Sequence, residues 1–218
     1  MLTTLSRQIA ADLLQIKAVF LRPQEPFTWA SGIQSPIYCD NRVTYAEPEV
    51  RRHIAEGYVE VIREKYPQCE AVIGTSTSGI GYAALAAWLM ELPTGYVRGG
   101  AAKSHGRNQQ IEGRVTPGQK VVVVEDLIST GGSVIEVVDI LREAGAEVLG
   151  IVSIFTYKMQ KGLDRLAGAQ TENTSLTDFD ALIEVAAETG YIEPKAIQAL
   201  KAFRDNPSDG GWINLLNM

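Results

Sequence analysis

The sequence predicts an α/β fold, a central parallel sheet flanked by helices, within one globular domain. Three observations carry this. Short apolar runs alternate with helical patterns from residue 71 onward, as parallel strands joined by crossover helices require. The run at 121–124, VVVV, shows no polar alternation and so belongs to a central strand buried on both faces. The 218 residues, 45% hydrophobic and 21% charged, supply one sizeable core.

Taken in order, Leu5, Ile9, Leu13 and Ile16 recur at three- or four-residue steps and predict an amphipathic helix. The stretch 27–42, FTWASGIQSPIYCDNR, predicts short extended pieces with Gly32 and Pro36 at turns, and its aromatic content is unusual for a plain linker. Val50, Ile54, Tyr58 and Val61 mark a second helix, which Pro67 closes. Then come the run 71–73, the loop GTSTSG, the helix GYAALAAWLM with Trp88 as core, and the run GYV at 95–97. After a charged loop the VVVV strand leads into EDLISTGG, the helix SVIEVVDILREAG and the run VLGIVSIF. Two further helices are predicted at 181–187 and 194–203, the second with Pro194 at its start. The tail from Asn206 is polar and reads as loosely held, with Trp212 as an anchor of unspecified partner, and His53 falls on a polar helix face and reads as solvated.

A net charge of -6 and a pI near 5.1 leave no basic footprint for a nucleic acid. Cys39 and Cys69 form neither a CxxC pair nor a metal pattern, which fits free thiols in a reducing compartment. Arg7, Asp12 and Lys17 interrupt the apolar residues of the first 21 positions, so neither a signal segment nor a membrane span is predicted, and the expected location is the cytoplasm.

In an open parallel sheet, ligands bind outside the carboxyl ends of the strands, here the loops after Ile73, Val97 and Val124. The last begins with Glu125 and Asp126 and ends with Ser129, Thr130, Gly131, Gly132 and Ser133 at a helix start. Glycines admit an anion close to the backbone, hydroxyls add donors, and the helix N-terminus adds free N–H groups, so this half binds a phosphate. Carboxylates would repel that phosphate; they suit vicinal sugar hydroxyls instead. Together they read as a ribose-phosphate clamp. A nucleotide P-loop would need Lys-Ser/Thr after the glycines, and a dinucleotide fold would need GxGxxG after its first strand; neither occurs. The plain alternative is a strand-to-helix turn with Ser133 as N-cap. The loop after Val97, RGGAAKSHGRNQQIEGR, is too polar and glycine-rich for a core; Arg98, Lys103, His105 and Arg107 could close over a polyanion as a lid, and a solvated surface loop is the plain alternative.

The segment VVVVEDLISTGGS resembles the phosphoribosyl-pyrophosphate motif of type I phosphoribosyltransferases. The resemblance implies that family's fold, with a small hood formed by the N-terminal segment. It also implies that Glu125 and Asp126 bind the ribose hydroxyls, Asp126 as a catalytic residue, while Leu127, Ile128, Ser129, Thr130, Gly131, Gly132 and Ser133 wrap the 5-phosphate. The loop 74–79 is then similar to the family's pyrophosphate-side loop, with Thr77 and Ser78 toward the leaving group. K-x-H-G followed by N-Q-x-I-E-G looks like the catalytic loop of orotate phosphoribosyltransferases, which in that family crosses a dimer interface. Arg98, Lys103 and His105 would then contact pyrophosphate in trans, within a homodimer, with Lys103 and His105 catalytic. Residues 27–42 resemble the base-covering segment of the same family, in which Tyr38 and Cys39 match orotate-contacting positions, as does Ser129 in the phosphate loop.

What the resemblance implies overall is transfer of phosphoribose from 5-phosphoribosyl-1-pyrophosphate to orotate, with Mg2+ carried by substrate pyrophosphate and water and no dedicated metal cage. The chain then divides into an N-terminal helix and hood over about 1–45, an α/β core over about 46–160, and C-terminal helices and tail over about 161–218. There are departures. A second lid lysine usual in the family is missing from 99–102, where Arg107 is the nearest compensating charge. Lysines that some branches carry at Ala30 and Ser78, and an arginine at Tyr157, are also missing, leaving Arg42 as the nearest cation for the orotate carboxylate. A transferase for another base, and a non-catalytic sensor of the donor, are the alternatives; the second calls for a basic face and can dispense with Lys103 and His105.

Overall fold

A computed structural model describes residues 3–29, 32–99 and 110–217. The Thr3 hydroxyl accepts from the Ser6 N–H at 3.1 Å and starts α1 (Thr4–Gln15), which buries Ile9 and Leu13. Two small antiparallel ribbons follow, β1 (Val19–Leu21) with β4 (Ile37–Cys39) and β2 (Phe27–Thr28) with β3 (Gln34–Ser35), turning at Gly32 with φ of 84°. They form the hood. A 3-10 helix (Asn41–Ala46) leads into α2 (Pro48–Lys65), then β5 (Ala71–Thr75), α3 (Ser78–Met90), β6 (Thr94–Val97) and β7 (Ile111–Glu112). The chain continues through β8 (Lys120–Ile128), α4 (Gly132–Glu143), β9 (Glu147–Thr156), α5 (Gln160–Gly168), β10 (Asn173–Asp178), α6 (Phe179–Glu188) and α7 (Ala196–Asp205) to a closing 3-10 helix (Gly210–Asn217).

The main sheet has the order β10-β9-β8-β5-β6-β7, parallel except for β7 on β6. From β5 the chain winds toward β6, and from β8 toward β9, so the two connections part at the β5/β8 junction. That is a topological switch point, where the strand ends open a crevice. The valines of β8 explain its central place: Val122 and Val124 enter the core under α1, α2 and α3, whereas Val121 and Val123 enter the second core under α4. All four are 0% exposed, each burial being worth about 1.5–3 kcal/mol.

Several expectations are corrected. Strand β8 runs on to Ile128, pairing Glu125 with Ser153 and Leu127 with Phe155, so both carboxylates lie in the strand end. Gly131, at φ 72°, takes the N-cap place of α4, because only a left-handed turn brings the chain round after Ser129, and Ser133 lies within the first helical turn. Helix α5 and strand β10 were not legible. The first is a short helix holding Gly162 and Gly168, and the second, NTSLTD, is a largely polar edge strand. Pro194 precedes α7, in a turn.

Trp88 is 76% exposed. Helix α3 is apolar all round, so periodicity cannot choose its inner face. The small residues Gly79, Ala83, Ala86 and Ala87 take that face beside Tyr82 and bring the helix close to the sheet. His53 is paired: its Nδ1 lies 2.8 Å from the buried Asp12 carboxylate. The tail is held, since Trp212 is 3% exposed and meets Phe203 edge-on, and Phe203 meets Trp29 of the hood in the same way. Among the described residues no helix is long and apolar enough to cross a membrane.

Candidate active site

The crevice at the switch point is a pocket of about 370 Å³. Thr75, Ser76, Thr77 and Ser78 line one side, Glu125, Asp126, Leu127 and Ser133 the other, and Arg98 and Gly99 the rim. A larger hollow of about 660 Å³ lies between α2 and Leu89, away from the strand ends and without hydroxyl or backbone-loop donors suited to a phosphate. The smaller pocket gathers the acidic and hydroxyl side chains.

Glu125 is 6% exposed at the end of β8. Its Oε1 accepts from the Thr75 hydroxyl and from the Asp126 N–H, both at 2.8 Å, and its carbonyl accepts from the Tyr58 hydroxyl at 2.5 Å. Burial, with the side chain of Asp126 beside it, pushes the Glu125 carboxyl up to about 8. The sign of the linkage follows: its contribution to stability is complete below about pH 4.5 and is lost as pH rises through about 8. Glu125→Gln, which cannot ionise, should therefore flatten the decline of Tm between about pH 5 and about pH 9 relative to wild type. Parallel Tm profiles for the two proteins would show that Glu125 folds in its charged form.

The phosphate-side residues follow from the turn. Ser129 and Thr130 bridge the end of β8 to Gly131, and α5 packs against them: a Cβ on Gly162 would stand 2.7 Å from the Ser129 carbonyl oxygen. Arg165 donates to the Thr130 carbonyl at 3.2 Å. Gly132 opens α4, whose first-turn N–H groups have no intrahelical acceptors. Ile128 differs from its neighbours, for its side chain is 2% exposed inside the second core and its carbonyl accepts from Tyr157 N at 3.0 Å. It supports the loop from below.

Across the pocket, the peptide between Ser76 and Thr77 is cis, and the Ser76 hydroxyl accepts from Gly99 N at 2.7 Å. Arg98 N donates to the Gln110 carbonyl at 2.8 Å, and β6 pairs with β7 through Val97 and Ile111. Both stems of the loop 98–110 are thus closed by a hairpin beside the pocket. The Arg98 guanidinium meets Glu112 at 3.2 Å. Lys103, His105, Arg107 and Ala30 lie outside the described residues.

The base-side residues Tyr38 and Cys39 sit on β4, next to this pocket rather than in its wall. Tyr38 is 43% exposed with Phe27 against it, and burial pushes the Cys39 thiol up. Arg42, expected as the cation for the orotate carboxylate, instead donates to both Asp40 oxygens at 2.7 Å, so its charge is engaged in holding this turn. Tyr157 packs edge-on against Phe155 and is 5% exposed. Sequence reasoning missed Tyr58, Gly162 and Arg165. Tyr58 carried only a helix-periodicity signal, and the other two sit on a helix that had none.

A family model described as the phosphoribosyl transferase domain matches residues 44–182. The orotate phosphoribosyltransferase of Bacillus cereus (strain G9842) is 54% identical over 209 residues, spanning 96% of this chain and 99% of that protein. The Bacillus cytotoxicus protein of the same name is 53% identical over the same shares. Among solved structures, the orotate phosphoribosyltransferase of Aeropyrum pernix superposes with a TM-score of 0.71 at 28% identity, over 84% of this chain and 99% of that one. The UMP synthase of Leishmania donovani gives a TM-score of 0.76 at 26% identity, over 91% of this chain and 42% of that one.

Proposed function

The chain belongs to the orotate phosphoribosyltransferases of the phosphoribosyl transferase domain family, and from that premise we propose that it joins orotate to the phosphoribosyl group of 5-phosphoribosyl-1-pyrophosphate, releasing pyrophosphate and orotidine 5'-phosphate. One observation carries the reading: a single pocket is faced by a carboxylate pair on one side and by a Ser/Thr loop on the other, beneath the stems of a cationic loop. Glu125 and Asp126 hold the ribose hydroxyls, and the N–H and hydroxyl groups of 129–133 hold the 5-phosphate. Thr77 and Ser78 face the pyrophosphate, and Tyr38, Cys39 and Ser129 border the base.

As the bond from C1 to the pyrophosphate oxygen breaks, positive charge grows on the sugar and negative charge on the leaving oxygens. Asp126 lies on the sugar side. Arg98, Lys103 and His105 oppose the leaving group, and closure of their loop excludes water. Orotate is already an anion, so no strong protein base is needed. Among the described residues, no group of three or more His, Cys, Asp or Glu is placed to hold a metal by itself. The acidic and hydroxyl groups of this pocket fit an Mg2+ that would arrive on the pyrophosphate and keep its waters, with Asp126 as the carboxylate that would meet it or its water shell. When bound, the ion disperses the charge of the leaving group.

The active form in this reading is a cytoplasmic homodimer whose lid crosses to the neighbouring site. The Trp88 and Leu89 side chains at the end of α3 offer apolar area for such a contact. The test is an absorbance assay with orotate, donor and Mg2+, run beside uracil and the purine bases. Loss of orotate absorbance only when the donor is present is the expected result; faster consumption of another base would displace orotate as the acceptor.

A further inference from the structure

The donor loops are tied to the base-side segment by Asn41, at its end, and Tyr45, just beyond it, neither of which lines the pocket. The 3-10 helix Asn41–Ala46 follows the base-side strand β4 and is anchored at both ends. At its start Asn41 is 1% exposed and both ends of its amide are used: Oδ1 accepts from the Cys39 thiol at 3.3 Å, and Nδ2 donates to the Asp126 carbonyl at 2.7 Å. At its other end the Tyr45 hydroxyl donates to the Ser78 carbonyl. The Tyr45 ring stacks on Tyr82 at 4.7 Å between centroids, and the Tyr82 hydroxyl donates to Thr44 at 2.6 Å. Room for the Tyr45 ring exists because position 81 has no side chain; a Cβ there would stand 2.7 Å from Tyr45 Cε1.

A carbonyl does not bind an anion, but it shares a rigid plane with the next N–H. Holding the Ser78 carbonyl therefore fixes the Gly79 N–H, one of the free donors at the start of α3. Holding the Asp126 carbonyl likewise fixes the backbone from which the Asp126 carboxylate enters the pocket. We propose that Asn41 and Tyr45 are positioning residues that set the ribose clamp and the pyrophosphate loop in register with the base-side segment. The grip on the phosphoribosyl donor thus depends on a turn outside the pocket. This rests on the functional reading above.

Tyr45→Phe keeps the ring and removes one hydroxyl, and Gly81→Ala presses on the hydroxyl end of the ring, at Tyr45 Cε1, Cζ and the oxygen. Each should raise the KM for the donor, and the inhibition constant of pyrophosphate, by about five- to tenfold while the KM for orotate moves less than about twofold. Alanine favours a helix over glycine, so weaker donor binding in Gly81→Ala at an unchanged Tm is not a loss of helix propensity in α3. Asn41→Asp keeps the size and the acceptor for Cys39 but cannot donate to Asp126; it should lower kcat/KM for the donor by about tenfold. An unchanged donor KM in both Tyr45→Phe and Asn41→Asp overturns the proposal. So does an equal rise in both substrates' KM with a falling Tm, which is what a purely structural role would give. A wild-type chain inert toward donor and orotate sinks the functional reading and this proposal together, whereas an active wild type with unaltered variants sinks this proposal alone.

Discussion

Lys103→Ala should lower kcat by about a hundredfold or more, because in the proposed lid its positive charge would oppose the leaving pyrophosphate mainly in the transition state. Its thermal stability stays close to wild type, since a lid residue leaves both cores and the β6/β7 stems intact. The missing family lysine at 99–102 enlarges the effect, as Lys103 stands with fewer neighbours to share its work. Steady-state kinetics with circular dichroism melting checks this, and near-normal turnover would remove Lys103 from the lid assignment. Asp126→Asn should be inactive for a different reason, loss of the sugar clamp. Mixing the two inactive proteins should restore part of the activity if each lid serves the neighbouring subunit, since a hybrid dimer contains one site with both residues. No recovery would mean that the lid closes over its own site.

Gly79→Ala should be strongly destabilising for a change of one methyl group. A Cβ at that position would lie 2.4 Å from the Val124 carbonyl oxygen and 2.6 Å from Thr75 Oγ1. Neither neighbour can yield: the first is backbone of the central strand, and the second is fixed on Glu125 at 2.8 Å. Helix α3 must move off the sheet, at a cost of about 3 kcal/mol, which for a chain of this size lowers Tm by about 10 °C. Donor binding should disappear with it, because the Thr75–Glu125 hydrogen bond and the start of α3 are displaced together. Gly168→Ala is the control, for a Cβ there meets nothing within 4 Å. A Gly79→Ala protein that melts within about 2 °C of wild type would show that the α3–β8 approach is looser than this geometry requires.

How much of this was legible depends on where the controlling interactions lie. The β8 strand and its carboxylates were readable because an uninterrupted apolar run has one plausible place in a sheet, and an acidic pair beside glycines and hydroxyls has few uses. The inner face of α3 was not, since every face of that helix is apolar and the choice was made by how closely alanines and glycine let it approach the sheet. Polar β10 gains its strand conformation from pairing with β9, a partner more than twenty positions away at Asn173 and Ile151, which no local pattern encodes. Asn41, Tyr45 and Tyr58 act on the site through backbone carbonyls brought close by the fold. A side chain whose target is a carbonyl leaves no motif, because every residue has one.

The division of the β8 valines between two cores has a consequence in time as well as in space. A strand clamped from both faces cannot detach without disrupting both halves of the molecule, so the seat for the sugar persists for as long as the domain is folded. The β6/β7 pairing is at the opposite extreme in extent, two residues on the rim of the sheet. In the proposed reading the sugar is therefore seated on the part of the sheet secured from both faces, whereas the lid springs from a two-residue pairing at its edge.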